Sequence, residues 1–201
     1  MNYISDILYW ISTGLLVPVI LVLIFLFVRA LILLGGFFGQ YQTMRRNEAS
    51  LRKIINNLSD ANIDELPAKL EGNKSKFATY VRLLFQFRKS PAQIEHVLNE
   101  AELDGEKEMN LPIMLAKMGP TVGLMGTLIP MGPALVGLAA GDIASMAYNM
   151  QVAFATTVVG LFASAIGFIT KQVKQRWNLR QISDLELIAS ILKEQKPCAE
   201  D

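Results

Sequence analysis

Charge is distributed along the chain so unevenly that it divides the sequence before any other feature does. Residues 7–28 run for roughly 22 positions without a charge, about the 20 residues needed to cross a hydrocarbon core. Apolar residues continue beyond Arg29 to residue 38, so the pattern predicts a first span with an inner-boundary extension over 7–38, preceded by an outer N-terminus over 1–6. Pro18 is tolerable inside a lipid-embedded helix, and Tyr9 and Trp10 suit the outer interface. Arg29 reads in two ways, as a charge within the membrane or as a side chain snorkelling to the inner boundary. The cost of a lipid-level guanidinium favours snorkelling.

Residues 42–112 hold most of the charge and carry apolar positions at helical spacing, first Leu51, Ile54, Ile55 and Leu58, then Phe77, Val81, Leu84 and Phe85. Amphipathic helices are the expectation. Ser90-Pro91-Ala92-Gln93 has the form of a capping box with proline at the first helical position, and a helix is expected from 91 to 103, broken by Asp104-Gly105. His96 stands alone between Glu95 and Glu100, and a single histidine without a second ligand does not make a metal site.

Between Lys117 and Lys171 the only charge is Asp142, which divides the stretch into two pieces each long enough to span. This predicts a tight hairpin: a second span over 113–140, an outer turn over 141–146, and a third span over 147–170 whose helix starts at Ile143 or Ala147. Residues 171–201 form a tail with apolar spacing at Ile182, Leu185, Ile188 and Leu192. That tail is read as a continuation of the third helix, either packed on its own chain or used in subunit assembly. All 19 Lys and Arg lie at or after Arg29 and outside the turn, while the outer segments hold only Asp6 and Asp142. The positive-inside rule therefore places the N-terminus outside and both charged segments in the cytoplasm of a cell membrane. The fold class is an all-α integral membrane protein with three transmembrane helices and a helical cytoplasmic region between the first and second.

Composition agrees with this partition: 52% of residues are hydrophobic and the mean hydropathy is +0.34. The net charge of +1 conveys little beside its distribution. The N-terminal run lacks a basic leader and is too long for a cleaved signal peptide, so it is expected to remain as a span. Cys198 is the only cysteine, which leaves no internal disulfide and no thiolate metal cluster. No metal and no cofactor are expected.

The hairpin itself carries the chemistry. The second span is dense in Gly119, Gly123, Gly126, Gly132 and Gly137 together with Pro120, Pro130 and Pro133, and Ala153, Thr157, Gly160, Ser164 and Gly167 share a face of the third. Small residues at such spacing let helices approach closely in lipid. On that ground Gly126→Leu or Gly160→Leu is expected to disperse an oligomer. With a rise of ~1.5 Å per residue, Thr127 lies about 18 Å in from Leu115 and Thr157 about 21 Å in from Lys171, so the two hydroxyls share a depth near the membrane middle. Such hydroxyls either relay water or a cation, or bond to carbonyls one turn back. Lys117, at the inner mouth, is either an anchor or a charge that influences ion access.

Gly119-Pro120-Thr121-Val122-Gly123-Leu124-Met125-Gly126-Thr127 resembles the A-P-x-x-G-L-x-G-T motif of the MotA/TolQ/ExbB proton channel family. Ala153-Phe154-Ala155-Thr156-Thr157-Val158-Val159-Gly160-Leu161 is similar to that family's following A-x-x-x-T-x-x-G-L segment. The motif likeness covers about 112–172, is closest to the TolQ/ExbB type, and agrees with the topology over the rest. It implies a homopentamer around single-span partners of the ExbD, TolR or MotB type, which carry the titratable aspartate, with Thr127, Thr157 and Thr156 beside the ion path. Pro130 departs from the usual glycine, and with Gly132-Pro133 it predicts a kinked or partly unwound outer half of the second helix.

Other classes fit less well. An intramembrane enzyme lacks a base for Ser164 at its depth. Nucleic acid is not an expected partner, because basic and acidic residues interleave; membrane lipid is. A non-conducting scaffold that recruits a soluble partner through its cytoplasmic helices remains the alternative to an ion channel driving an energy-transducing complex.

Overall fold

The computed structural model describes residues 2–56, 63, 66–70 and 75–194. Leu58 and Cys198 lie outside the described residues, as do the side chains of Asp6, Tyr9, Leu51, Ile54 and Ile55. Five helices account for the described fold: α1 (Asn2–Asn56), α2 (Leu66–Lys69), α3 (Lys76–Gln86), α4 (Pro91–Ala139) and α5 (Ile143–Glu194). Three of them, α1, α4 and α5, contain stretches long and apolar enough to cross a membrane. The chain is an all-helical, multi-pass membrane protein.

Two compact units divide the chain, Met1–Phe38 with Asn110–Gln172, and Gly39–Met109 with Val173–Asp201. In the first, α1 buries Leu23, Leu26 and Ala30, spaced three and four apart on one stripe, against Leu115 and Val122 of α4 and Ala163 and Ile166 of α5. Phe27 and Phe162 meet with ring centroids 6.0 Å apart. Large apolar side chains such as Leu21, Leu128, Leu135 and Val158 point outward. That inversion suits a lipid surround, which offers them a medium as apolar as the protein interior.

The hairpin turn is tighter than the expected 141–146. Gly141 adopts φ 73°, a left-handed conformation open to glycine without strain. Asp142 then caps α5, its Oδ1 accepting from the Ser145 backbone N–H at 3.0 Å. The cap starts α5 at Ile143, so residues 143–146 are helical. The outer half of α4 is not unwound: the helix runs unbroken to Ala139 through Pro120, Pro130 and Pro133.

In the second unit, Phe77, Ala78, Val81 and Leu84 of α3 share a core with Ile94, Val97 and Ala101 of α4 and with Leu185, Ile188, Ala189 and Leu192 of α5. The apolar spacing of the tail is thus taken up by its own chain. Ser75 caps α3, accepting from the Ala78 N–H at 3.2 Å. Helix α4 begins at Pro91, as the capping signal predicts, but the expected end at Asp104-Gly105 does not occur. Both residues are held inside the helix by tertiary partners. Gly105 abuts the Asn178 side chain so closely that a Cβ could not be accommodated there. Asp104 accepts from the Tyr80 hydroxyl at 2.9 Å and from Lys107 at 3.2 Å, with Lys76 at 3.8 Å. Glu108 extends the network to Lys76 at 2.7 Å and Lys174 at 3.9 Å.

This network sets a pH signature. Burial, then the hydrogen bond to Asp104, pushes the Tyr80 phenol up to about 12, while that same hydrogen bond holds the Asp104 carboxyl below the usual carboxylate range. Raising a phenol's folded pKa stabilises the fold at all pH below the unfolded value of about 10, and the contribution disappears as pH climbs toward 12. A lowered carboxyl acts oppositely, stabilising above its unfolded value and failing as pH falls through the folded one. Tyrosinate absorbance should therefore show a late step near 12. Tyr80→Phe should remove it; persistence of that step in the variant would assign it to another tyrosine.

Candidate ion pathway

The two hairpin helices meet along glycines. A Cβ on Gly119 would fall 2.7 Å from the Gly160 carbonyl oxygen, and one on Gly160 would fall 2.7 Å from the Gly119 oxygen and 2.9 Å from the Gly123 Cα. At Gly167 the nearest atoms are the Ala116 nitrogen and Leu115 Cβ, both at 2.7 Å. Ser164 adds a cross-helix bond, its Oγ donating to the Ala116 carbonyl at 3.1 Å. Ala153, Gly160 and Gly167 are buried and Ser164 is half-buried. The small-residue stripes therefore face each other within one chain. They close the hairpin rather than offering a free surface to a neighbouring subunit.

Further along the seam, Gly126 lies against Thr156, whose Cβ and Oγ1 would be 2.7 Å from a Cβ at that position. Thr156 is buried, and its hydroxyl donates to the Ala153 carbonyl at 2.9 Å and the Val152 carbonyl at 3.1 Å. Because Gly126 and Thr156 touch, Thr127 and Thr157, each the next residue in its helix, stand within about 3 Å of each other in depth. Each is turned about 100° from the seam, and in antiparallel right-handed helices those turns lead to the same flank. Both are half-buried; Thr127 Oγ1 donates to the Leu124 carbonyl at 2.7 Å and Thr157 Oγ1 to the Ala153 carbonyl at 3.0 Å.

Helix α1 covers the other flank, through Leu115, Val122, Val159, Ala163 and Ile166. The threonine pair thus sits on the hairpin face that α1 leaves uncovered. Exposed Leu124, Met131, Phe154 and Leu161 border it. Donation to a carbonyl leaves the oxygen lone pairs of both threonines able to accept from water or to ligate a cation. The bond to the backbone and a place beside an ion path are compatible, so the two readings of these hydroxyls are not exclusive.

Pro130 is buried and Pro120 exposed, with Pro133 between these extremes. Lys117 is exposed on α4, and its carbonyl accepts from the Thr121 hydroxyl at 2.8 Å. The Arg29 side chain reaches back one turn along α1, placing its guanidinium carbon 5.2 Å from the Phe25 ring centroid, a cation–π contact. Sequence reasoning groups Thr156 with the other two threonines; contact with Gly126 is what separates it. Spacing alone carried a partial signal, since Ala153, Thr156, Gly160, Ala163 and Gly167 follow the alternating three- and four-residue spacing of a buried seam.

Helices packed backbone to backbone through glycine, with an outward apolar surface and spans long enough to cross a membrane, define a multi-pass membrane protein. The chain belongs to the MotA/TolQ/ExbB proton channel family, whose model matches residues 40–187. No curated protein matches the chain. The family is one of transport proteins, and the matched residues include the whole hairpin.

Proposed function

We propose that the chain is the proton-conducting subunit of an energy-transducing stator, which uses the ion-motive force to drive a partner protein. The subunit assembles as a homopentamer around a single-span partner of the ExbD, TolR or MotB type. Its N-terminus lies outside the cell membrane and both charged segments lie in the cytoplasm, a reading supported by the distribution of Lys and Arg. The observation that carries this reading is the pairing of Thr127 and Thr157 on the uncovered flank of a hairpin whose spans contain no Asp, Glu or His. Hydroxyls guide a proton without holding it, because threonine does not ionise at accessible pH. The titratable group comes from the partner. Thr127 and Thr157 line the path; Thr156, buried against Gly126, sets the helix spacing behind them.

Proton flux into vesicles tests the division of labour. Vesicles holding the chain alone should leak no faster than empty ones, and co-reconstitution with the partner should open a proton current that an Asp→Asn change in the partner abolishes. A chain that conducts as well alone as in the complex refutes the proposal.

A further inference from the structure

In the unit formed by Gly39–Met109 and Val173–Asp201, α4 and α5 run antiparallel, with Gly105 against Asn178. On the exposed face of α4 at this level stand Glu102 and Glu106, with Leu103 between them 56% exposed. On the exposed face of α5 stand Arg176 and Arg180, with Leu179 between them 61% exposed. Each face is a leucine flanked by two like charges, and the signs are opposite. Among the described residues no ion pair engages Glu102, Glu106 or Arg176.

We infer that these two faces are the halves of one seam between copies of the chain: Glu102, Leu103 and Glu106 of one subunit meet Arg176, Leu179 and Arg180 of the next. This inference rests on the homo-oligomer proposed above and names the surfaces that join it. Copies in a membrane share one topology, so a closed ring repeats by rotation, which leaves every residue at its own height along the axis. Both triplets lie within about one turn of the Gly105–Asn178 contact, so a ring whose axis runs along this helix pair brings them together without any axial shift. The seam is heterologous, as ring closure requires. The leucines supply the water-excluding centre and the charges fix register and reject wrong pairings, the role in which interfacial charge is most effective.

The test uses the full-length chain in detergent. Glu102→Arg with Glu106→Arg, and separately Arg176→Glu with Arg180→Glu, should each shift the ring to smaller species in native mass spectra, because like charges then face across the seam. The four changes combined should restore it. Salt at about 1 M, where the screening length is near 3 Å, should also rescue each charge-reversed pair, a recovery that misfolding would not show. In a Cys198→Ser background, oxidising a mixture of Glu106→Cys and Arg176→Cys chains should yield a disulfide-linked dimer that neither chain forms alone. A wild-type ring unaffected by the reversals and without the mixed dimer overturns the seam while leaving the oligomer standing. A monomeric wild type overturns both.

Discussion

Gly160→Leu should abolish the folded hairpin, and Gly160→Ala should already damage it. A Cβ at this position falls 2.7 Å from the Gly119 carbonyl oxygen and 2.9 Å from the Gly123 Cα, and both are backbone atoms that no rotamer change can move aside. Overfilling a packed site by a methylene-sized group costs about 1–3 kcal/mol, so the alanine variant should accumulate less and resist protease poorly. Leucine forces the helices apart, breaks the Ser164–Ala116 bond and unseats Thr156 from Gly126. Such a loss precedes assembly. Monomer that is still protease-resistant after Gly160→Leu would assign the glycine stripe to the subunit interface. Gly132→Ala is the control, since nothing lies within 4 Å of its Cβ position; it should accumulate as the parent does.

How far each feature was legible in the sequence depended on how far away its partner lies. The spans follow from runs of uncharged residues, and the start of α4 from Ser90-Pro91, because lipid solvation and capping are decided within a few residues. The continuation of α4 through Asp104-Gly105 is decided by Tyr80, Lys76 and Asn178, which lie 24 to 73 positions from the residue each contacts, and local propensity is overridden there. The threonine pair was legible by depth but not by direction. Its shared flank depends on the register of α4 against α5, which the Gly126–Thr156 contact supplies, and on the side taken by α1. The sense of the small-residue stripe was similarly open, since spacing marks a close approach without naming what approaches.

Thr127→Val combined with Thr157→Val should abolish most proton flux through the complex while leaving the assembly intact. Valine has nearly the shape of threonine, and each hydroxyl donates to a carbonyl of its own helix. Removing such a bond costs the fold on the order of 1 kcal/mol or less, because the carbonyl keeps its place in the helix. Losing an oxygen that solvates a passing cation or its water chain is costlier, about 1.5–3 kcal/mol for a hydrogen bond to a charged species. Converted to a barrier, that is roughly a tenfold to hundredfold fall in rate for each site. Thr156→Val separates proximity from function: it makes the same change one residue away, on a buried side chain, and should leave flux near the parental level. Vesicle acidification at matched protein content, read beside native mass spectra, distinguishes the outcomes. Flux that survives the double change in an intact complex would sink the assignment of this flank as the ion path and leave the threonines with their backbone bonds as their whole role.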